Sequence, residues 1–417
     1  MRAEIITIGD ELLIGQVVDT NSAWMAQHLN EAGIDLYQIT SIHDDRRHIL
    51  AALDEAFSRA DIVLTTGGLG PTKDDITKHV MCEYFGTTLV EDTRVREHIY
   101  NLYRERPDVL NRLTATQWLV PQAADILPNR VGSAPLMVFH QADKLLCAMP
   151  GVPYEMQVAM DEQILPYINR YLHPAANIIH RTIMVSGISE SALAIRLEQY
   201  ENALPPYIHL AYLPKDGTIR LRLSSYGEAT QDEIDEQLQQ LSVLVSDYLI
   251  ATDDSPLEVH LGALLKARKQ TIATAESCTG GKLAALLNKH PGSSAFYLGS
   301  VVAYSNSVKH SVLGVSQTNL DTFGAVSEQV AREMAEGVRR LCGTDYAIAT
   351  SGIAGPDGGS PEKPVGTVWM AWATPQGTTA ECFHLGKLRD QITDRASTQA
   401  LIRMIRIINE ECIIHNA

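Results

Sequence analysis

The sequence predicts an α/β protein in three successive units: a three-layer α/β domain, a small α+β domain, and a second α/β domain. Three observations carry that expectation. At 417 residues the chain is long for a single hydrophobic core. Short apolar runs alternate with helical periodicity over residues 3–168 and again from Leu257 onward, the signature of mostly parallel sheets covered by helices. Residues 172–252 instead mix alternating strands with two helices, and the Asp253-Asp254-Ser255-Pro256 stretch reads as a linker. The expected boundaries are therefore 1–170, 171–252 and 257–417.

Element by element, Ile5–Ile8, Leu36–Ile39, Ile62–Thr65 and Leu145–Met149 read as strands of the first unit, with helices over Asn21–Glu31, Arg47–Arg59 and Tyr154–Tyr167. In the middle unit Arg181–Val185 and Thr218–Ser224 alternate as strands. Glu190–Tyr200 and Gln231–Leu249 carry helical periodicity, and Pro205-Pro206 breaks the segment between. The third unit has apolar strands at Thr271–Ala273, Val301–Ala303 and Ala347–Thr350, and ends in a helix bearing Ile402, Ile405 and Ile408.

Composition narrows the function classes. With 45% hydrophobic and 20% charged residues the chain reads as an ordinary soluble protein. A net charge of −16 argues against nucleic acid as a partner, because that affinity rests on neutralising phosphates with Lys and Arg. The start, Met1 to Gly9, reads as a strand and not a signal peptide, and no run is long enough to span a bilayer; the expectation is a cytoplasmic protein without a membrane partner. The 6 cysteines lack CxxC pairs, which argues against structural zinc and a disulfide framework.

Two constellations suggest chemistry. In the first, strand Ile5–Ile8 runs into Gly9-Asp10-Glu11 and Gly15, Asp19-Thr20-Asn21 starts a helix, and strand Ile62–Thr65 runs into Gly67-Gly68-Leu69-Gly70-Pro71-Thr72-Lys73-Asp74-Asp75. Loops at the carboxyl ends of strands are where open α/β sheets bind ligands. Glycines admit a phosphate, Lys73 can neutralise it, and Asp10, Glu11, Asp19, Asp74 and Asp75 supply oxygens suited to a hard divalent metal. The competing reading makes Asp19 and Asp75 helix caps and the glycines mere turns.

The second constellation is the polar, glycine-ended stretch Thr274–Gly281, read as a loop between a strand and the helical pattern Leu283–Leu287. Such a turn gathers backbone N–H groups and a hydroxyl. It is not a nucleotide P-loop: Glu276 stands where the first glycine belongs and Leu283 where the metal-binding Ser/Thr belongs. Tyr304-Ser305-Asn306-Ser307-Val308-Lys309 and Ser351–Gly359 follow two further strands and can converge on the same pocket. A buried Lys309 has the chemistry to deprotonate Ser277. Lys282 is a rival base and Cys278 a rival nucleophile.

The first set of residues, together with Ile76-Thr77 and Met149–Pro153, resembles the molybdopterin-binding-like domain shared by molybdenum-cofactor biosynthesis proteins and the CinA family. In the CinA family that resemblance implies metal-dependent ADP-ribose pyrophosphatase activity. Substrate would lie against Gly67, Gly68, Gly70, Thr72, Lys73, Asn129 and Gly151, with a divalent metal (Mg, Mn or Co) on Asp10, Glu11, Asp19, Asp74 and Asp75. Thr274–Gly281, Tyr304–Asn306 with Lys309, Gly324–Ser327, and Ser351–Gly359 with Lys363–Val368 look like the nicotinamide mononucleotide deamidase family, the C-terminal domain of CinA. By that resemblance Ser277 is the nucleophile, Tyr304 and Lys309 assist it, and Thr279, Gly280, Gly281, Ser351, Gly352, Ala354, Gly355 and Arg389 bind substrate, with no cofactor.

One local pattern departs from the family. Where the family shows Gly-Asp-Arg after the last strand, this chain has Gly386-Lys387-Leu388-Arg389, so Arg389 is aligned across one extra residue. The middle unit resembles the family's KH-like domain but has no GxxG, the feature by which KH domains clamp nucleotides. It is expected to be a spacer or dimerisation element of a homodimer. The function implied is pyridine-nucleotide salvage, with nicotinamide mononucleotide and ADP-ribose as small-molecule partners. The alternatives are a non-catalytic nucleotide- or molybdopterin-binding N-terminal module, and a nucleic-acid-associated competence or DNA-damage protein.

Overall fold

The computed structural model describes residues 1–72, 75–111, 114–173 and 178–416. Among these, the chain forms two compact units, Met1–Ile179 with Ser225–Ala229, and His180–Ser224 with Thr230–Ala417. No helix among the described residues is long and apolar enough to cross a membrane.

In the first unit β1 (Arg2–Ile8), β2 (Asp35–Ile42) and β3 (Ile62–Thr66) form the parallel part of a sheet, and β4 (Leu89–Glu91) pairs separately with β5 (Leu119–Pro121). With β6 (Asp125–Leu127), β7 (Leu136–Gln141) and β8 (Lys144–Met149) the sheet runs β2-β1-β3-β8-β7-β6. Alternation of side chains across the strands sends Ile5, Leu64 and Cys147 to one core with Met25, Leu29 and Met156, and sends Ile6, Val63 and Ala148 to the other with Ile49, Leu53 and Met81. Two buried faces make three layers. The sheet is mostly parallel, as expected, with an antiparallel edge: β7 pairs antiparallel with β8 through a tight hairpin at Ala142-Asp143, Ala142 having φ 53°. The helix expected over Tyr154–Tyr167 is helical over Pro153–Ala159 and Leu165–Leu172 with a π turn at Met160–Ile164 between. Pro166 explains the widened turn, since it cannot donate to a carbonyl one turn back.

The middle sheet comprises β9 (Ile178–Ser186), β10 (His209–Lys215), β11 (Thr218–Tyr226) and β12 (Leu249–Ala251), in the order β10-β11-β9-β12. The helix expected to reach Leu249 ends at Leu244, and Leu249 begins β12. The Thr230/Glu233 capping box fixes its start. The C-terminal helix touches this sheet: Arg406 Nη2 donates to the Ser186 carbonyl at 2.8 Å.

The last sheet contains β13 (Ile272–Glu276), β14 (Tyr297–Val302), β15 (Tyr346–Gly352), β16 (Thr367–Thr374) and β17 (Gly377–His384), in the order β14-β13-β15-β16-β17. β14, β13 and β15 are parallel, and β16 and β17 are antiparallel. One face carries Ile272, Tyr346, Ile348, Met370 and Trp372. The other carries the alanines Ala273, Ala275, Ala347, Ala349, Ala371 and Ala373, which let the helix Glu328–Cys342 lie close against the sheet. The carboxyl ends of β13, β14 and β15 thus lie side by side.

Candidate active sites

Strand β13 runs through Glu276, so the stretch read as a loop from Thr274 is extended and buried for its first three residues. This places a carboxylate inside the protein. Glu276 Oε2 accepts from Thr279 Oγ1 at 2.7 Å, the Gly281 N–H at 3.0 Å and the Leu283 N–H at 3.1 Å, and Oε1 accepts from the Ala284 N–H at 2.8 Å. The start of the helix Lys282–Asn288 is therefore already capped by an anion from within the chain. Of the residues that the resemblance implies as substrate-binding, Gly280 and Gly281 have their N–H groups engaged within the chain. Gly281 serves Glu276 and Gly280 N–H donates to the Ser277 carbonyl at 3.1 Å. The Thr279 hydroxyl is shared between Glu276 and Thr350 Oγ1. The Cys278 and Thr279 N–H groups face the Cys278 sulfur. Gly281 has φ 99°, a backbone conformation that lets the chain enter the helix straight from this turn.

Ser277 follows the strand, its N–H donating to the Thr350 carbonyl at 2.9 Å. Lys309 reaches it from the helix Asn306–Leu313, which Ser305 caps through the Val308 N–H. Long helical side chains lean toward the helix start, and Lys309 does so. Its Nζ lies 3.1 Å from Ser277 Oγ, 2.7 Å from the Ala303 carbonyl and 3.2 Å from the Tyr304 carbonyl. Lys309 is 1% exposed, and that burial pushes its ammonium pKa below the ordinary lysine value. Two carbonyls take two N–H groups, and the third position faces the serine. A neutral amine there turns its lone pair to the Ser277 hydroxyl.

The rivals fall away on geometry. Lys282 Nζ is tied to Asp394 at 2.5 Å and Thr393 at 3.1 Å. The buried Cys278 thiol is pushed up to about 12 by desolvation, so it stays protonated and inert. Tyr304 contacts Lys309 only through its carbonyl, while its side chain is exposed and its hydroxyl accepts from Arg389 Nη2 at 3.4 Å. Arg389 also donates to the Gly355 carbonyl at 2.8 Å, which brings the aligned arginine beside Tyr304 and the Ser351–Gly359 segment. Ser351 spends its hydroxyl on the Ala325 carbonyl at 2.6 Å. Ala354 packs into the core, and Gly352 lies tight against Val368.

In the first unit the carboxyl ends of β1, β3 and β8 open onto a cavity of about 590 Å³. Gly67, Gly68, Gly70 and Gly151 line it as expected. Gly67 has φ 109°, and a Cβ there would overlap the Ile8 carbonyl, so the floor needs glycine. Lys73 and Asp74 lie outside the described residues. Thr72 and Gly70 are held by Asp75: its carboxylate accepts from the Gly70 and Thr72 N–H groups at 2.8 and 2.9 Å and from the Thr72 hydroxyl. Asp19 caps the helix Thr20–Glu31 through Ser22 N–H and Oγ. Asp10 pairs with His43 at 2.8 Å. Asn129 is turned away from this cavity; it donates to the Ala134 carbonyl and to Glu155, whose residue does line it.

Asp10, Glu11, Asp19 and Asp75 do not converge as a set in the described structure, and Asp74 lies outside it. No group of three metal-ligating side chains is present among the described residues. Asp10 and Glu11 are exposed on the cavity wall, where carboxylate oxygens of this kind suit a hard divalent ion. Two residues not named as site candidates also line the cavity. The Asn21 and Gln117 side chains are buried, and their amide oxygens have no hydrogen-bond partner.

Fold and sites together define a multidomain α/β protein with a buried Ser–Lys pair in one unit and a glycine-floored ligand cavity in the other. Family models match all three segments: a "Probable molybdopterin binding domain" at residues 4–170, the damage-inducible protein CinA KH domain at 180–251, and the CinA C-terminal domain at 254–408. A CinA-like protein of Flavobacterium psychrophilum is 45% identical over 409 residues, covering 96% of this chain and 97% of that protein. A CinA-like protein of Cytophaga hutchinsonii is 43% identical over 408 residues, with 97% of each chain covered. The solved competence/damage inducible protein CihA of Agrobacterium tumefaciens, 38% identical, covers 37% of this chain and 93% of its own, with a TM-score of 0.36. The chain belongs to the CinA family.

Proposed function

We propose that the C-terminal domain is an amidohydrolase that converts nicotinamide mononucleotide to nicotinic acid mononucleotide and ammonia. The observation that carries this is Lys309 Nζ, buried and 3.1 Å from Ser277 Oγ with two carbonyls fixing its direction. Neutral Lys309 takes the Ser277 proton as Oγ attacks the carboxamide carbon, and the carbonyl π electrons move to oxygen. In this proposal the oxyanion takes over the Cys278 and Thr279 N–H groups from the weakly accepting Cys278 sulfur, a role worth about 3 kcal/mol per donor. Collapse breaks the C–N bond, and the proton on Lys309 leaves with ammonia. Water, deprotonated by the same amine, then cleaves the ester and restores Ser277. Arg389, beside the Tyr304 hydroxyl, supplies a cation for the substrate phosphate. Ammonia release from nicotinamide mononucleotide by wild type and its loss in Ser277→Ala test the reading; full activity in Ser277→Ala would overturn it.

For the N-terminal cavity the reading is binding and hydrolysis of ADP-ribose. Its support is a glycine floor at the carboxyl ends of strands with exposed acids beside it. A divalent ion held there would polarise the diphosphate. A second reading, a nucleotide- or molybdopterin-binding module without turnover, is favoured by one observation: Asp19 and Asp75 are committed to backbone amides. Turnover of ADP-ribose that stops with EDTA selects the first; binding without turnover at saturating Mg or Mn selects the second.

A further inference from the structure

We infer that the inner wall of the N-terminal cavity recognises the sugar hydroxyls of its ligand through the Asn21 and Gln117 side-chain carbonyls, which rests on reading that cavity as a site for a nucleoside-diphosphate sugar. The Asn21 side chain is 9% exposed and Gln117 is fully buried, and both line the cavity. Their amide orientations are fixed. Asn21 Nδ2 donates to the Gly151 carbonyl at 2.8 Å and lies 3.3 Å from Thr66 Oγ1; Gln117 Nε2 donates to the Leu69 carbonyl at 3.1 Å. Flipping either amide would set oxygen against a carbonyl oxygen.

Asn21 Oδ1 and Gln117 Oε1 are consequently committed acceptors, and both are buried without a partner. A buried acceptor left unmade is costly, so the wall favours a ligand group that brings a donor. Phosphate oxygens at neutral pH are acceptors and are repelled there. Ribose hydroxyls are donors and fit. The same two side chains brace the segments 66–69 and 150–151 that form the glycine floor, so one network positions both ends of the ligand: phosphates over the glycines, sugar against the amides. The polarity follows from donors and acceptors alone, and it distinguishes a sugar-bearing diphosphate from a bare one.

The test is calorimetric titration of full-length wild type, Asn21→Leu and Gln117→Met with ADP-ribose and, separately, with inorganic diphosphate. Thermal melts establish that each variant is folded, and a double variant of exposed Tyr100→Ser and Leu341→Ser serves as a handling control. The expected result is that each single variant weakens ADP-ribose binding about tenfold more than it weakens diphosphate binding, the diphosphate loss reporting the bracing of the glycine floor and the excess reporting the lost bond to a sugar hydroxyl. Equal losses for both ligands, or none, would overturn the inference and leave the cavity reading standing. Wild type that binds no ADP-ribose would take down the cavity reading and this inference together.

Discussion

Lys309 and Glu276 are buried polar groups with their partners supplied by the chain itself, whereas Asn21 and Gln117 in the N-terminal cavity keep buried oxygens without any. On the proposed function the C-terminal site is built before substrate arrives: Lys309 is desolvated, Ser277 Oγ is within hydrogen-bond distance of it, and the helix start beside them is neutralised by Glu276. The N-terminal site is completed by its ligand. Preorganised groups act without reorganisation cost, which suits attack on a stable amide. A cavity with unsatisfied acceptors gains most from the molecule that fills it, which suits selection of a ligand.

The sharpest way to break that comparison is Lys309→Met. Amide hydrolysis should fall by about a thousandfold, within the usual range for a general base, with the melting temperature unchanged or raised because a desolvated amine is removed. Lys309→Arg should not rescue, since guanidinium stays protonated. In wild type the sign of the pH dependence follows from the lowered pKa: protonated Lys309 cannot accept from Ser277, so kcat/KM should rise with pH through a midpoint below the ordinary lysine value of 10.5. A flat profile, or rescue by arginine, would remove Lys309 as the base.

Glu276→Gln comes next in size. An amide presents one oxygen and an NH₂ to four donors, so at least one helix-start N–H loses its acceptor. The expected outcome is a kcat lowered by about tenfold to a hundredfold with KM little changed, as Ser277 loses its position, and stability reduced by about 2 kcal/mol. A KM effect alone would mean that Glu276 touches substrate binding instead.

A smaller effect separates the acids of the first unit. Asp75→Asn should loosen the Gly70–Thr72 turn and raise KM for ADP-ribose severalfold at every metal concentration. Asp10→Asn should shift the metal concentration giving half-maximal turnover. If both variants behave like Asp10→Asn in a magnesium titration, Asp75 is a ligand after all and its bonds to the loop are exchanged on binding.

Much of this was legible from sequence, because strand-end loops announce themselves through composition. Ser277 with Lys309 and the Gly67–Gly70 floor lie where glycine and hydroxyl follow apolar runs. What escaped has physical causes. Glu276 hides because a charged residue at a strand end reads as the start of a loop, and its burial depends on the turn folding back to aim four nearby donors, from Thr279 to Ala284, at one carboxylate. Gln117 sits in a short 3₁₀ turn, Thr114–Trp118, far from any motif, and only folding brings its amide to Leu69. Asp19 and Asp75 are ambiguous in principle, since capping and metal binding call on the same oxygens at the same places. The β7 hairpin was missed because Leu136–Phe139 is a short apolar run whose partner follows directly, leaving no crossover helix to mark it.

The smallest effect is expected at the residue with the best intrinsic nucleophile. Cys278 adjoins Ser277, but its thiol is buried among Leu283, Ile348 and their neighbours and held near 12. At pH 8 only about one molecule in ten thousand carries the thiolate, four units below that value. Cys278→Ala should therefore keep amide hydrolysis within about twofold and cost only about 1 kcal/mol of packing. Wild type should likewise keep its activity through iodoacetamide treatment under native conditions. A large loss in either experiment would shift the chemistry from the oxygen of Ser277 to the neighbouring sulfur, and Lys309 would then have to be reassigned as the group that ionises a thiol.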